Sequence, residues 1–189
     1  MANIQSPFGF DQRAGNGSAP TYEMTAVAIG SSAAAIFFGD PVAWASPADG
    51  TIVQAPSSSG GPFQIAGIFI GCKYLSVSQK RTVWSNYWPG SDANGAVEGY
   101  IVNDPNAKFV AQVGGSSSTG LAATDIGANV QFAYGTPNTM SGVSGAYIDI
   151  TVTPTTTATL PFKVVGLVTS PPGSNGTEAG AYNLAVVAF

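Results

Sequence analysis

The sequence predicts an all-β fold: an antiparallel β-sandwich or jelly-roll-like barrel with an extended N-terminal arm. Three observations carry the prediction. Short runs rich in Val, Ile, Phe and Tyr recur at roughly 8–18-residue spacing with Gly, Pro, Asn and Asp between them, and about ten such runs fit the chain. Neither a strand-helix-strand alternation nor a fixed-period repeat is present, which argues against a parallel sheet, a solenoid or a propeller. Charged residues make up 8% of the 189 residues, where about 25% is usual; small polar residues and 24 glycines take their place.

Residues 1–20, MANIQSPFGFDQRAGNGSAP, follow neither the helical nor the strand period. Phe8 and Phe10 flank a glycine, and disordered tails are poor in aromatics. The segment therefore reads as an arm that docks on its own domain, a sister subunit or a partner. Residues 21–189 read as one β domain. Its first strands are 22–29 and 33–38, the second ending at Gly39-Asp40-Pro41, a turn signal. Strands 42–45 and 51–54 follow, then a flexible loop at 56–62. The strongest apolar run, 63–74, carries Gly67 and Gly71; inside a strand such glycines mark bulges or close backbone approach, so the run reads as one bent strand or two consecutive ones. Segment 81–88 leads to Asn94-Gly95, a hairpin signal. Strands at 96–102 and 108–113 come next, then a helical turn at 121–126 and a strand at 129–134. Residues 146–153 alternate, with Ile148, Ile150 and Val152 on one face, as a half-buried antiparallel strand does. Runs at 161–168 and 182–187 complete the set.

The chain has no histidine, which removes Ser-His-Asp and Cys-His arrangements and the common histidine zinc sites. One cysteine, Cys72, cannot form an internal disulfide; it reads as a small core residue, with an intermolecular bridge or a reactive thiol as the alternative. Phosphate-binding glycine motifs are missing. Carboxylate chemistry is the remaining enzymatic option. Three of the seven aspartates, Asp40, Asp49 and Asp104, sit beside Gly, Pro or Asn and read as turn formers; Glu98, mid-strand, is the one candidate acid and reads as an outward polar position. The expectation is a non-enzyme without cofactor or metal. Six Lys and Arg and a net charge of -4 argue against a nucleic-acid partner. No apolar stretch reaches membrane-spanning length, and the N-terminus shows no signal-peptide core. Asn16-Gly17-Ser18 and Asn175-Gly176-Thr177 read as turns.

The densest segment is Lys80 to Trp88, KRTVWSNYW, with two of the six cations and two of the three tryptophans. Trp, Tyr and Arg dominate interface hot spots. Three readings stand: a core strand with one face buried, a partner interface, or an aromatic platform for a sugar.

The opening SPFGFDQR, the strand-turn FFGDPV, the run IAGIFIGCKYLSVSQKRTVWSNYWPG, the turn YIVNDPNAKF and the segment DIGANVQFA resemble the capsid decoration, or cement, proteins of tailed bacteriophages. The resemblance spans most of the chain. It implies a structural virion protein, made in the host cytoplasm, that binds the outer face of the capsid as a dimer or trimer and bridges neighbouring copies of the major capsid protein. It carries no catalytic residue and no cofactor. The expected contact regions are the arm (Ile4, Phe8, Phe10, Arg13) and the basic-aromatic strand (Lys80, Arg81, Trp84, Tyr87, Trp88). Deleting residues 1–13 is then expected to weaken capsid binding and leave the domain folded. The competing reading is a carbohydrate-binding or host-attachment module of a head or tail fibre.

Overall fold

The computed structural model describes residues 3–15, 17, 19–20, 23–46, 49–57, 65–115, 119–156, 159–168 and 180–189. Among them the chain forms twelve strands: β1 (Asp11–Ala14), β2 (Thr25–Ile29), β3 (Pro41–Trp44), β4 (Thr51–Gln54), β5 (Ile65–Leu75), β6 (Thr82–Ser85), β7 (Val97–Val102), β8 (Lys108–Gly114), β9 (Asn129–Tyr134), β10 (Ala146–Asp149), β11 (Phe162–Leu167) and β12 (Leu184–Ala188). The segment read as helical holds a single 3-10 turn, Ala123–Asp125, where the Asp125 carboxylate accepts the Ala122 N–H.

The strands make two sheets, and each closes on itself. One ring runs β3-β4-β2-β7-β5 and back to β3, with β6 added to β5; the other runs β8-β10-β9-β11-β12 and back to β8, with β1 added to β8. The all-β barrel expectation is met by two five-stranded barrels, N-terminal and C-terminal. Closure gives every ring strand a neighbour on both sides, so among the described strands those with a single neighbour are β1 and β6. A ring of five strands cannot alternate up and down all the way round; one neighbouring pair must run parallel. In the N-terminal barrel that pair is β2 with β4, and in the C-terminal barrel β8 with β10. These two short ladders are the parallel exceptions in sheets whose other pairings are antiparallel.

Residues 33–38 do not form the expected strand. Ile36 and Phe38 make isolated bridges, to Trp88 and Val143, because the chain turns through Gly39 to reach β3. The expected strand 146–153 stops at Asp149, whose carboxylate takes the Thr151 N–H and hydroxyl at 2.9 Å each and curls the chain. Of the run 63–74, the described part from Ile65 on is one strand, β5, as its glycines allowed. A Cβ on Gly67 would lie 2.6 Å from the Val102 carbonyl oxygen, and one on Gly71 2.9 Å from that of Ser85. The register against β7 slips between Phe69 and Gly71. The bent strand pairs with β3 through its first half and with β6 through its last residues.

Ile36, Val42, Ile52, Phe69, Trp88 and Ile101 fill the N-terminal barrel. Phe109, Val130, Phe132, Ile148, Phe162 and Val187 fill the C-terminal one, and Ala43, Ala55, Ile68 and Val102 from the N-terminal barrel join that second cluster. The two barrels therefore share a wall. Cys72 is buried on β5, with its thiol donating to the Tyr87 carbonyl at 3.3 Å, and burial pushes its pKa up to about 12. Thiolate is the reactive form, so a thiol reagent at mildly alkaline pH is expected to label Cys72 only in denaturant. Rapid labelling of the native protein would contradict this placement.

The arm belongs to the far barrel. Asn3 Nδ2 donates to the Ala181 carbonyl at 2.8 Å. The Gln112 amide accepts the Ser6 N–H at 2.7 Å and donates to the Ile4 carbonyl at 3.0 Å. Gly9 N–H reaches the Ala146 carbonyl at 3.2 Å and Phe10 N–H the Gly39 carbonyl at 2.9 Å. Gly9 has a φ of 82°, and a Cβ there would meet Gly39 O and Ser144 Cβ at 2.9 Å. The motifs SPFGF and FFGDP thus touch through their glycines. The Phe10 ring stacks on Phe162 at 4.6 Å and meets Phe132 edge-on at 6.4 Å. This corrects the expectation that residues 1–13 are separable: removing them extracts Phe10 from the core and strips β1 from β8.

Candidate functional site

Traced onto the fold, the expected contact residues divide into core and surface. Phe10 and Trp88 are 1% and 4% exposed and offer no surface to a partner. Trp88 lies beyond β6, bridged to Ile36 by reciprocal backbone bonds and edge-on to Tyr74 at 5.1 Å. Tyr87 is half-buried and stacks on Phe37 at 5.4 Å. Phe8 is half-buried, whereas Arg13, Lys80 and Arg81 are exposed. The Arg81 guanidinium donates twice to Gln79 Oε1, at 3.0 and 2.8 Å. Ile4 is 80% exposed and Trp84 67%. The alternation expected of segment 80–88 holds from Val83 to Tyr87 and breaks at Trp88, where the strand has ended and the chain turns into the core.

Trp84 is the centre of an outward shelf on the N-terminal barrel. Strand β5 runs between β6 and β7, so Lys73 faces Trp84 on one side and Glu98 on the other. Lys73 Nζ lies 3.7 Å from Glu98 Oε2 and 5.1 Å from the centroid of the Trp84 ring. The Tyr100 hydroxyl donates to Glu98 Oε1 at 3.2 Å. Partial burial, followed by that bond to Glu98, raises the Tyr100 pKa and keeps it a donor. Gly71, opposite Tyr100, has no side chain to separate the two rings. Trp84 and Tyr100 stack across it with centroids 5.9 Å apart and planes within 4°.

A shallow trough lies on each side of this row. One, of about 540 Å³, is walled by Met24, Ile70, Trp84, Ser85, Asn86 and Tyr100. The other, of about 460 Å³, is walled by Lys73, Leu75, Thr82 and Glu98 among others. Asn86 Nδ2 donates to the Ser141 carbonyl and ties the shelf to a neighbouring loop. Asn138 Oδ1 accepts the N–H groups of Met140 and Ser141 at 3.0 and 3.1 Å, holding out Met140, 98% exposed, at the loop tip.

Comparison with protein-family models, with curated proteins and with solved structures finds no match to this chain.

The remaining polar chemistry is structural in form. Among the described residues no group of three or more His, Cys, Asp or Glu could hold a metal ion. Glu98 is paired with Lys73 and accepts from Tyr100, and its side chain stays 44% exposed. Glu178 and most of the two Asn-Gly-Ser/Thr sequences lie outside the described residues. Asp40, read as a turn former, is buried where the barrels meet. Its carboxylate accepts the Phe37 N–H at 2.9 Å, the Gln54 amide at 2.8 Å and the Ser144 hydroxyl. Ser144 Oγ in turn accepts the Ala146 N–H at 2.8 Å. Sequence reading missed Tyr100 and the interior place of Asp40. The Glu98–Tyr100 spacing of two puts both side chains on one face of β7, a signal that was available; the burial of Asp40 has no local signal.

Proposed function

We propose that this chain is a non-catalytic structural protein of a virion, which binds the outer surface of a tailed-phage capsid as a homo-oligomer and bridges neighbouring coat subunits. The observation that supports this most is the arm. It is fastened to the chain's own C-terminal barrel through its backbone at Ile4, Ser6 and Gly9 and through the side-chain amide of Asn3, while Ile4 points outward. An apolar contact ordered in advance loses little entropy on docking, so more of its gross interaction energy appears as affinity. The nearly uncharged composition acts in the same direction, because hydroxyls and amides cost less to desolvate than ions. On a shell, many weak contacts add through effective concentration.

Ile4→Asp tests this reading. Ile4 is exposed, so thermal unfolding is expected to be unchanged, while co-sedimentation with expanded capsid shells weakens by about tenfold or more, ~1.4 kcal/mol. Undiminished decoration by the variant would rule out the arm as the shell contact.

A further inference from the structure

The Trp84 shelf has a chemistry of its own, separate from the arm. Its charges cancel: Lys73 is paired with Glu98, and the larger trough is walled by Met24, Ile70, Gly71, Cys72, Trp84, Ser85, Asn86 and Tyr100, none of them charged. A charged ligand would find no unpaired partner there. The floor is aromatic and apolar, but its rim carries the Asn86 amide and the Tyr100 hydroxyl, with the Glu98 carboxylate next to Tyr100. These groups keep hydrogen-bonding capacity beyond the bonds they make to Ser141, to Lys73 and to each other, which a purely apolar occupant would leave unfilled. A ligand with a flat C–H face and a hydroxyl edge meets both demands. The trough volume, about 540 Å³, falls within the roughly 300–1,000 Å³ of small-molecule sites.

We infer that the Trp84–Tyr100 shelf is a binding site for a neutral saccharide, with one sugar ring laid against Trp84 and its hydroxyls bonded to Asn86, Tyr100 and Glu98. Glu98 here is an acceptor and no bond is broken. The stack on Tyr100 and the Lys73–Glu98 pair hold Trp84 in place before the ligand arrives, so little ordering cost remains. The inference goes beyond shell attachment. A chain fixed to a capsid through its arm would give the particle an array of sugar-binding shelves, in which weak single sites act together.

The test uses the purified full chain, without shells, in affinity electrophoresis through gels containing dextran, galactomannan, xyloglucan or mixed-linkage β-glucan, together with an array of neutral and anionic bacterial glycans. Retardation or array binding by a neutral glycan is expected. It should fall at least about tenfold in Trp84→Ala, fall less in Trp84→Phe, and persist in Trp44→Ala, a control at another exposed tryptophan. Because Trp84 is largely exposed, the unfolding temperature of each Trp84 variant should match the parent, which separates lost binding from lost fold. A silent panel and array, binding that survives Trp84→Ala, or binding confined to anionic glycans and abolished by Lys73→Gln would each overturn the inference. None of these outcomes bears on the shell-binding test, which reads a different residue and a different partner.

Discussion

Phe10→Ala is expected to lower the stability of the protein by about 3–5 kcal/mol, the usual cost of emptying a buried phenylalanine site. The loss is large because Phe10 is a central ring rather than a lid. It stacks on Phe162, meets Phe132 edge-on, and through Phe162 touches the ring of Phe189 at 6.0 Å. The site cannot collapse easily. Gly9 and Gly39 are already in backbone contact on one side, and β1 is hydrogen-bonded to β8 on the other. Urea unfolding with the slope unchanged and the midpoint lowered would measure the effect. A change below about 1 kcal/mol would mean that the arm is not part of the core in solution.

Asp40→Ala is expected to cost about 3 kcal/mol or more, because it leaves the Phe37 N–H, the Gln54 amide and the Ser144 hydroxyl without their acceptor at the junction of the barrels. Asp40→Asn is expected to be close to neutral. The amide oxygen can serve Phe37 and Gln54, and its NH2 can donate to Ser144 Oγ. The pH dependence distinguishes the two forms of the parent. Burial raises the Asp40 pKa above the ordinary carboxyl value, against the opposing pull of the bonds from Phe37, Ser144 and Gln54. Between the ordinary value and the raised one, the folded state holds more protons than the unfolded state, so stability falls as pH rises through that window. Above the raised pKa the loss is complete; below the ordinary value it is absent. Asp40→Asn should remove this segment of the stability-pH curve, leaving the variant flatter than the parent there. A parent curve that rises with pH across that window relative to the variant would show that ionised Asp40 is favoured by its donors over its burial.

Much of the architecture was legible in local patterning, and what was not has identifiable causes. The stretch TIVQ is β4 residue for residue, and the glycine-marked run is β5, because turn chemistry and apolar content act over a few residues. Strand β1 was read only as an arm. Its residues, DQRA, carry no strand pattern; they pair because Phe10 has anchored the chain beside β8. Closure into rings is likewise invisible locally, since it depends on β5 meeting β3 and β12 meeting β8. Of the candidate site, Trp84 stood out in the sequence. Trp88, four residues on and chemically identical, could not be told apart from it until the end of β6 was known. Tyr100 reaches Trp84 only because Gly71 stands between them.

The crossing of the arm has a consequence for how the protein is made. Asn3 is joined to Ala181, 178 residues away, and β1 pairs with a strand that follows the whole N-terminal barrel. During synthesis β2 to β7 can close their ring as soon as residue 102 has emerged. Residues 3–14 must then wait, with Phe10 uncovered, until β8 to β12 follow. Contacts so distant in sequence are the slow ones to form, and an unpaired strand with an exposed aromatic is the species that aggregates while it waits. The C-terminal barrel therefore decides the fate of a segment made before it, and the yield of native protein should be most sensitive to conditions at the moment when β1 meets β8.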